Sequence, residues 1–333
     1  MEVRFLSCAH LFVSPLFFVI LFNLLVTKVK QLDRVKSSFS IKNLEHLSGI
    51  KAHTIRIWEK RYDLFQPERT DTNIRMYNLE SLQKLLNISL LYNNGFKISK
   101  IANMELDEIN ELVHNITLRK SPYDWSLGLF KLAMINFDQL LFTKTFDELM
   151  EKLTFSEIFE SVFNPLMIEL GVLWQTNSIS PSHEHFITSL IKQKIHYLSD
   201  QLQTQAPTKT DKVFILFLPN NEIHELGLLY VNYEILNQGY KTIFLGQSVP
   251  TESLSNLLDQ EGHLCFVSSF TIEPNQDQIN SYLEHFSKEV LTKEGSEFWV
   301  TGYQTQFIDE NSHPKVKKFA SIYDLTNNLK KIV

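Results

Sequence analysis

The segment Glu222-Ile223-His224-Glu225-Leu226-Gly227 carries the most concentrated chemistry in the chain. It follows the apolar run Val213-Phe214-Ile215-Leu216-Phe217 and opens the helical stretch Leu226–Asn237, so its histidine stands in a loop at a strand end. Such loops form the ligand-binding edge of an α/β sheet. An imidazole offered there can coordinate cobalt or another borderline metal through one ring nitrogen. The other nitrogen needs an acceptor to fix the tautomer, and Glu222 is placed to be that acceptor. Gly227, without a Cβ, would let a bulky planar group approach the backbone. His224 is the candidate metal ligand, with Glu222 and Gly227 as candidate cofactor-binding residues beside it.

A second constellation lies between Phe39 and Tyr77. Ile41, Leu44 and Leu47 recur at helical spacing, Ser48-Gly49-Ile50 interrupts them, and Ile55 and Trp58 begin a second inward face. Glycine suits the left-handed position that ends a helix. Two short helices about such a turn make a helix-turn-helix, whose second helix enters the major groove of DNA. Lys51, His53, Thr54, Arg56, Lys60 and Arg61 fall among its outward positions. The stretch from Leu64 to Tyr77, with Arg69, Arg75 and Tyr77, reads as a small β-wing. From Lys42 to Lys100 ten Lys or Arg stand against six Asp or Glu, a local +4 in a chain of net charge −6. The overall charge argues against a protein that coats nucleic acid indiscriminately. Phosphate contacts need only the local field.

The elements that must position these groups imply a multidomain α and α/β chain. Its 333 residues suffice for two or three domains, and 44% hydrophobic with 21% charged residues is ordinary for globular cores. A winged helix-turn-helix is expected over 38–110, with Leu82, Leu85, Leu86, Leu90 and Leu91 as a core stripe. Pro122 ends it. A central four-helix bundle is expected over 123–203, opened by Leu127, Leu132, Ile135, Phe137, Leu140 and Leu141 and continued by Phe146–Leu153, Ile158–Leu173 and His185–Leu202. The polar stretch from Gln203 to Asp211, with Pro207, links it to a Rossmann-like doubly wound parallel sheet over 211–333. Its strands are predicted at 213–217, 242–245, 264–267 and 298–300, with helices between them.

Residues 1–37 form a hydrophobic extension. Leu11–Val26 is almost wholly apolar but only 16 residues long, short of the roughly 20 that span a bilayer. A membrane anchor, a signal peptide and a non-native or upstream-translated extension all account for it. The third is preferred, with the working protein starting near Val35, in the cytoplasm and without a membrane partner. Cys8 and Cys265 are too few for a disulfide framework or a multi-thiolate metal site, which fits a reducing compartment.

The N-terminal motif resembles the MerR winged helix-turn-helix family. The likeness runs from Ile41-Lys42-Asn43-Leu44 through Ile55-Arg56-Ile57-Trp58-Glu59-Lys60-Arg61-Tyr62 to Pro67, Arg69 and Arg75-Met76-Tyr77. The resemblance implies base reading by the second helix through Thr54 and Arg56. It implies backbone contacts by Arg75 and Tyr77, and a homodimer or higher oligomer on a near-palindromic site. The Glu222–Gly227 segment is similar to the D-x-H-x-x-G signature of cobalamin-binding Rossmann domains, with Glu222 in place of Asp. That likeness implies His224 as lower axial ligand to cobalt. Ser268-Ser269-Phe270 and Gly302-Tyr303 stand where the family has Ser-x-Leu and Gly-Gly, so Ser268 and Gly302 are further cofactor candidates. Trp174 followed by Glu184-His185 resembles the corrin cap of the light-sensing, adenosylcobalamin-dependent MerR repressors. There the equivalent side chains crowd the upper corrin face. Those relatives carry a His directly after the Trp, where this chain has Gln175. The resemblance therefore implies corrinoid binding without the same photochemical end point.

These expectations converge on a DNA-binding transcriptional regulator, not an enzyme, that takes adenosylcobalamin or methylcobalamin as cofactor and double-stranded operator DNA as partner. Two alternatives stand beside it: a regulator that has kept the fold and lost the cofactor, and a corrinoid-dependent enzyme.

Overall fold

The computed structural model describes residues 38–331, apart from 94, 106–107, 110–111, 113–121, 177 and 310–312. The apolar N-terminal stretch and Cys8 lie outside the described residues. Among the described residues no helix is long and apolar enough to cross a membrane. The chain divides into two compact units, one spanning 30–191 and the other holding 192–333.

The first unit opens with strand β1 (Ser38–Ser40), helix α1 (Ile41–Ser48) and helix α2 (Ala52–Tyr62). Ser40 caps α1, its side chain accepting from the Asn43 amide while Asn43 Oδ1 accepts from the Ser40 amide. Gly49 ends the helix at φ 74°, the left-handed conformation expected of the turn glycine. Strands β2 (Glu68–Arg69) and β3 (Arg75–Asn78) form the wing, with β1 on the other edge of β3. The edge strand β1 was not expected from the sequence. Three residues are too few to show a period. Helix α3 (Leu79–Asn93) follows, and Leu82, Leu85, Leu86 and Leu91 are buried on it, as the leucine spacing predicts.

The same unit contains α4 (Pro122–Asn136), α5 (Gln139–Met150), α6 (Phe155–Ile158), α7 (Asn164–Gln175) and the start of α8 (Pro181–Gln203). A π-type turn, Phe159–Phe163, joins α6 to α7. Pro165 lacks the N–H that would continue the ladder, and the widened turn just ahead of it accommodates that loss. The four rods of the predicted bundle are therefore present. Their core is aromatic: the rings of Phe142 and Phe146 lie nearly parallel to Phe163, at 6° and 5°.

The second unit is a five-stranded parallel sheet of order β5-β4-β6-β7-β8. Its strands are β4 (Lys209–Phe217), β5 (Tyr240–Gly246), β6 (His263–Ser269), β7 (Glu297–Thr301) and β8 (Val316–Lys318), with helices α9 (Leu226–Asn237), α10 (Ile279–Glu289) and α11 (Ile322–Leu329). Side chains alternate across β4. Val213, Ile215 and Phe217 pack with Leu283 and Phe286 of α10. Phe214 and Leu216 pack with Leu228, Val231 and Ile235 of α9 and Leu325 of α11. Burial on both faces is why the strand reads as a continuous apolar run. The four predicted strands are all found, and β8 is additional. Strand order reverses between β4 and β6, and ligands of open α/β sheets bind at such a switch point.

Candidate functional site

Within the first unit, α2 presents a basic face. Ile55 and Trp58 are buried, whereas His53, Arg56, Lys60 and Arg61 are exposed and Thr54 is half-buried. Glu45 accepts from Lys51 Nζ at 3.1 Å and from the Ala52 amide at 3.1 Å, so one carboxylate caps α2 and tethers Lys51. In the wing, the Arg69 guanidinium donates to Asn73 Oδ1 across the turn.

Glu59 joins wing to helix. It accepts from Arg75 Nε at 2.9 Å and from the Tyr77 hydroxyl at 2.8 Å. Tyr77 is fully buried, and burial together with Glu59 pushes its phenol well above the ordinary range. The expectation of Tyr77 as a backbone contact is corrected on this point. Its ring belongs to the domain core and its hydroxyl positions the wing. Sequence reading counted Glu59 only as a charge, because two residues 16 and 18 positions away cannot be paired with it by spacing.

The corrinoid candidates of the first unit lie on α7 and α8. Trp174 is half-buried near the end of α7. Glu184 pairs with His185 Nδ1 at 2.9 Å, and the His185 ring is largely exposed, with 75% of its side chain accessible. Glu184 also accepts from Thr188 Oγ1. The connecting loop is anchored to α1. The buried Ser178 hydroxyl accepts from Asn43 Nδ2 at 3.2 Å and lies 3.4 Å from His46 Nδ1 and 2.9 Å from Thr176 Oγ1. Sequence reading had no signal for this link.

In the second unit, Glu222 and His224 meet at the switch point. Glu222 is fully buried. Its Oε1 accepts from His224 Nδ1 at 2.5 Å and from the amides of Ile223 and His224 at 2.9 and 3.0 Å. Its Oε2 accepts from the amides of Thr271, Ile272 and Glu273 at 3.1, 2.7 and 3.0 Å. One carboxylate thus pins the loop after β4 to the loop after β6. Burial alone would push its carboxyl up. The hydrogen bond and charge of His224, with the amides of Ile272 and Glu273, outweigh that and hold it below the usual range. With Nδ1 committed to Glu222, the ring presents Nε2 as its coordinating nitrogen.

The donor set fits a corrinoid: a partly exposed imidazole, held in one tautomer, at the ligand edge of the sheet. Three other candidates are placed differently. A Cβ at Gly227 would come within 2.3 Å of Ile322 Cδ1, so this glycine makes room for α11. Ser268 is fully buried and donates to the Phe217 carbonyl at 2.8 Å. Gly302 sits at φ 101°, where a Cβ would meet the Phe270 carbonyl oxygen at 2.5 Å. At Gly227 and Gly302 a side chain would collide with these neighbours, and the Ser268 hydroxyl is held by the backbone of β4. Cys265 is buried in the sheet, where burial pushes its thiol up.

Residues 39–108 match the MerR HTH family regulatory protein model, and residues 129–199 match the B12 binding domain model. The HTH-type transcriptional repressor CarH of Myxococcus xanthus is 25% identical over 224 residues, which are 65% of this chain and 73% of CarH. The repressor CarA of the same organism is 24% identical over 247 residues, 73% of this chain and 80% of CarA. The monomethylamine corrinoid protein of Methanosarcina barkeri shares the fold with a TM-score of 0.51 at 12% identity, over 64% of this chain and 98% of that one. The chain carries a MerR-type helix-turn-helix followed by a B12 binding domain, and it is homologous to the Myxococcus repressors.

Proposed function

We propose that this protein is a sequence-specific DNA-binding transcriptional regulator whose operator affinity is modulated by cobalamin. The observation that carries the reading is the Glu222–His224 pair at the switch point, in a chain that also has a MerR-type reader. The proposed domains are the reader over 38–110, the corrinoid cap over 123–203 and the sheet domain over 211–333. Lys51, His53, Thr54, Arg56, Lys60, Arg61, Arg69 and Arg75 meet the duplex. Trp174, Glu184 and His185 would contact the corrinoid, and His224 would hold its cobalt.

A bound cobalamin supplies a cobalt ion for the imidazole and a bulky planar group whose binding energy can favour one arrangement of the chain. The residues do the rest. Glu222 orients the ring and keeps its proton on Nδ1. The loop between Trp174 and Glu184 carries Ser178, which is hydrogen-bonded to Asn43 of α1. Movement of that loop is thereby passed to the first helix of the DNA reader. A ligand modulates DNA binding only through such a difference between two states. A homodimer on a two-fold operator would double each base contact and steepen the response.

Regulation, not turnover, is favoured by the DNA reader and by homologues that are themselves repressors. A rival in which the cofactor has been lost rests on the departures of Ser268-Ser269-Phe270 and Gly302-Tyr303 from the Ser-x-Leu and Gly-Gly of cobalamin-binding domains. The deciding experiment is purification with adenosylcobalamin in darkness, followed by absorbance and DNA mobility-shift measurements before and after illumination. Corrinoid bands that disappear in His224→Ala, with a change in DNA affinity on loading, bear out the proposal. DNA binding with no corrinoid uptake selects the rival.

A further inference from the structure

The exposed face of α2 is not purely basic. His53, Arg56, Ile57 and Lys60 fall at helical positions i, i+3, i+4 and i+7, which share one side of a helix. Its opposite side buries Ile55 and Trp58. Ile57 sits in the middle of that outward stripe with 53% of its surface exposed. Among the described residues of the reader, the other exposed aliphatic side chain is Ile74, 55% accessible at the tip of the wing. Elsewhere in this small domain the aliphatic side chains supply the core, as at Leu44, Leu47, Ile50, Ile55 and Leu64. An exposed isoleucine ringed by cations gains nothing from the domain's own packing. A solvent-facing β-branched residue is also a poor choice for helix propensity.

The chemistry it suits is specific. A recognition helix in the major groove meets donors and acceptors on every base pair but only one apolar group, the C5-methyl of thymine. The cations on either side match the phosphates that flank such a groove. We infer that Ile57 is a specificity-determining residue that reads a thymine methyl in the operator. The inference rests on the DNA-reading function proposed above and deepens it by naming a base.

The test removes the methyl and nothing else. The full chain, with and without adenosylcobalamin, is used to select duplexes from a random pool. Each thymine of the enriched sequence is then replaced singly by deoxyuridine, and affinities are measured for wild type and Ile57→Ala. Wild type is expected to lose about fourfold at one position per half-site, the worth of one buried methylene-sized group. Ile57→Ala, which loses the contact in both half-sites of the proposed homodimer, should bind the thymine duplex about as weakly as wild type binds a duplex with uracil at that position in both half-sites, and should no longer distinguish thymine from uracil. Arg56→Ala, by contrast, should weaken binding while leaving the thymine–uracil difference in place. Enrichment with no penalty for uracil at any position overturns the role of Ile57 and leaves DNA reading intact. Retention of the thymine preference by Ile57→Ala does the same. Failure to enrich any sequence overturns both.

Discussion

Replacing Glu222 by Gln keeps the volume and removes the charge. Six hydrogen bonds converge on this carboxylate, three on each oxygen, and all six donors are N–H groups. An amide can serve only one trio through its oxygen. Its NH2 then faces the other. If the oxygen keeps the Thr271–Glu273 amides, the NH2 meets the amides of Ile223 and His224 and the His224 ring. The ring can adapt by accepting on Nδ1, which moves its proton to Nε2. Two backbone N–H groups are left without an acceptor, at about 1–3 kcal/mol each, so the local cost is about 4 kcal/mol. The adapted tautomer also offers no lone pair at Nε2 for a metal. Hydrogen–deuterium exchange in segments 218–226 and 270–276 should then quicken by about a thousandfold, the equivalent of about 4 kcal/mol. Any change that His224 makes in the absorbance of added cobalamin should be lost in this variant. Exchange in both segments within tenfold of wild type would refute the account of Glu222. The pH dependence has a definite sign. The folded carboxyl titrates below the ordinary glutamate value of 4.5, so the stabilisation is present above about pH 4.5 and fades as the pH falls through the folded value. Glu222→Gln should lack this acid-side loss.

Glu59→Ala strips acceptors from Arg75 and from the buried Tyr77 hydroxyl. It should lower reader stability by about 1–3 kcal/mol in thermal unfolding and weaken binding to all DNA sequences alike. Gly302→Ala forces a Cβ against the Phe270 carbonyl at positive φ, whereas Gly49 has positive φ but nothing within 4 Å. Urea unfolding should show a loss of about 1 kcal/mol for Gly49→Ala and clearly more for Gly302→Ala. Ser178→Ala should cost only about 1 kcal/mol. It should nevertheless shrink the effect of adenosylcobalamin on mobility-shift affinity, while corrinoid uptake stays at the wild-type level. An undiminished effect would remove Ser178 from the coupling route.

Much of the architecture was legible because it depends on local periodicity. The leucine spacing of α3, the glycine stop after α1 and the doubly buried run of β4 each reflect the period of one element. Residues whose role depends on a distant partner were not legible in that way. Glu59 finds its partners in the wing, and Glu222 finds half of its donors about fifty residues downstream. Ser268, Gly227 and Gly302 stood at motif positions, but nothing in the spacing showed that Phe217, Ile322 and Phe270 press against them.

The order of residues alone determined the reader, the helical rods, the alternation of strand and helix, and the histidine at a strand end. Backbone propensity and side-chain periodicity act within a few residues and need no tertiary partner. Only the folded chain decided that one buried carboxylate would gather two loops around that histidine. Only it decided that Tyr77 would turn inward and that Ser178 would hold α1. Hydrogen bonds between groups far apart in sequence form where packing brings them within about 3 Å, and no spacing rule along the chain encodes that approach.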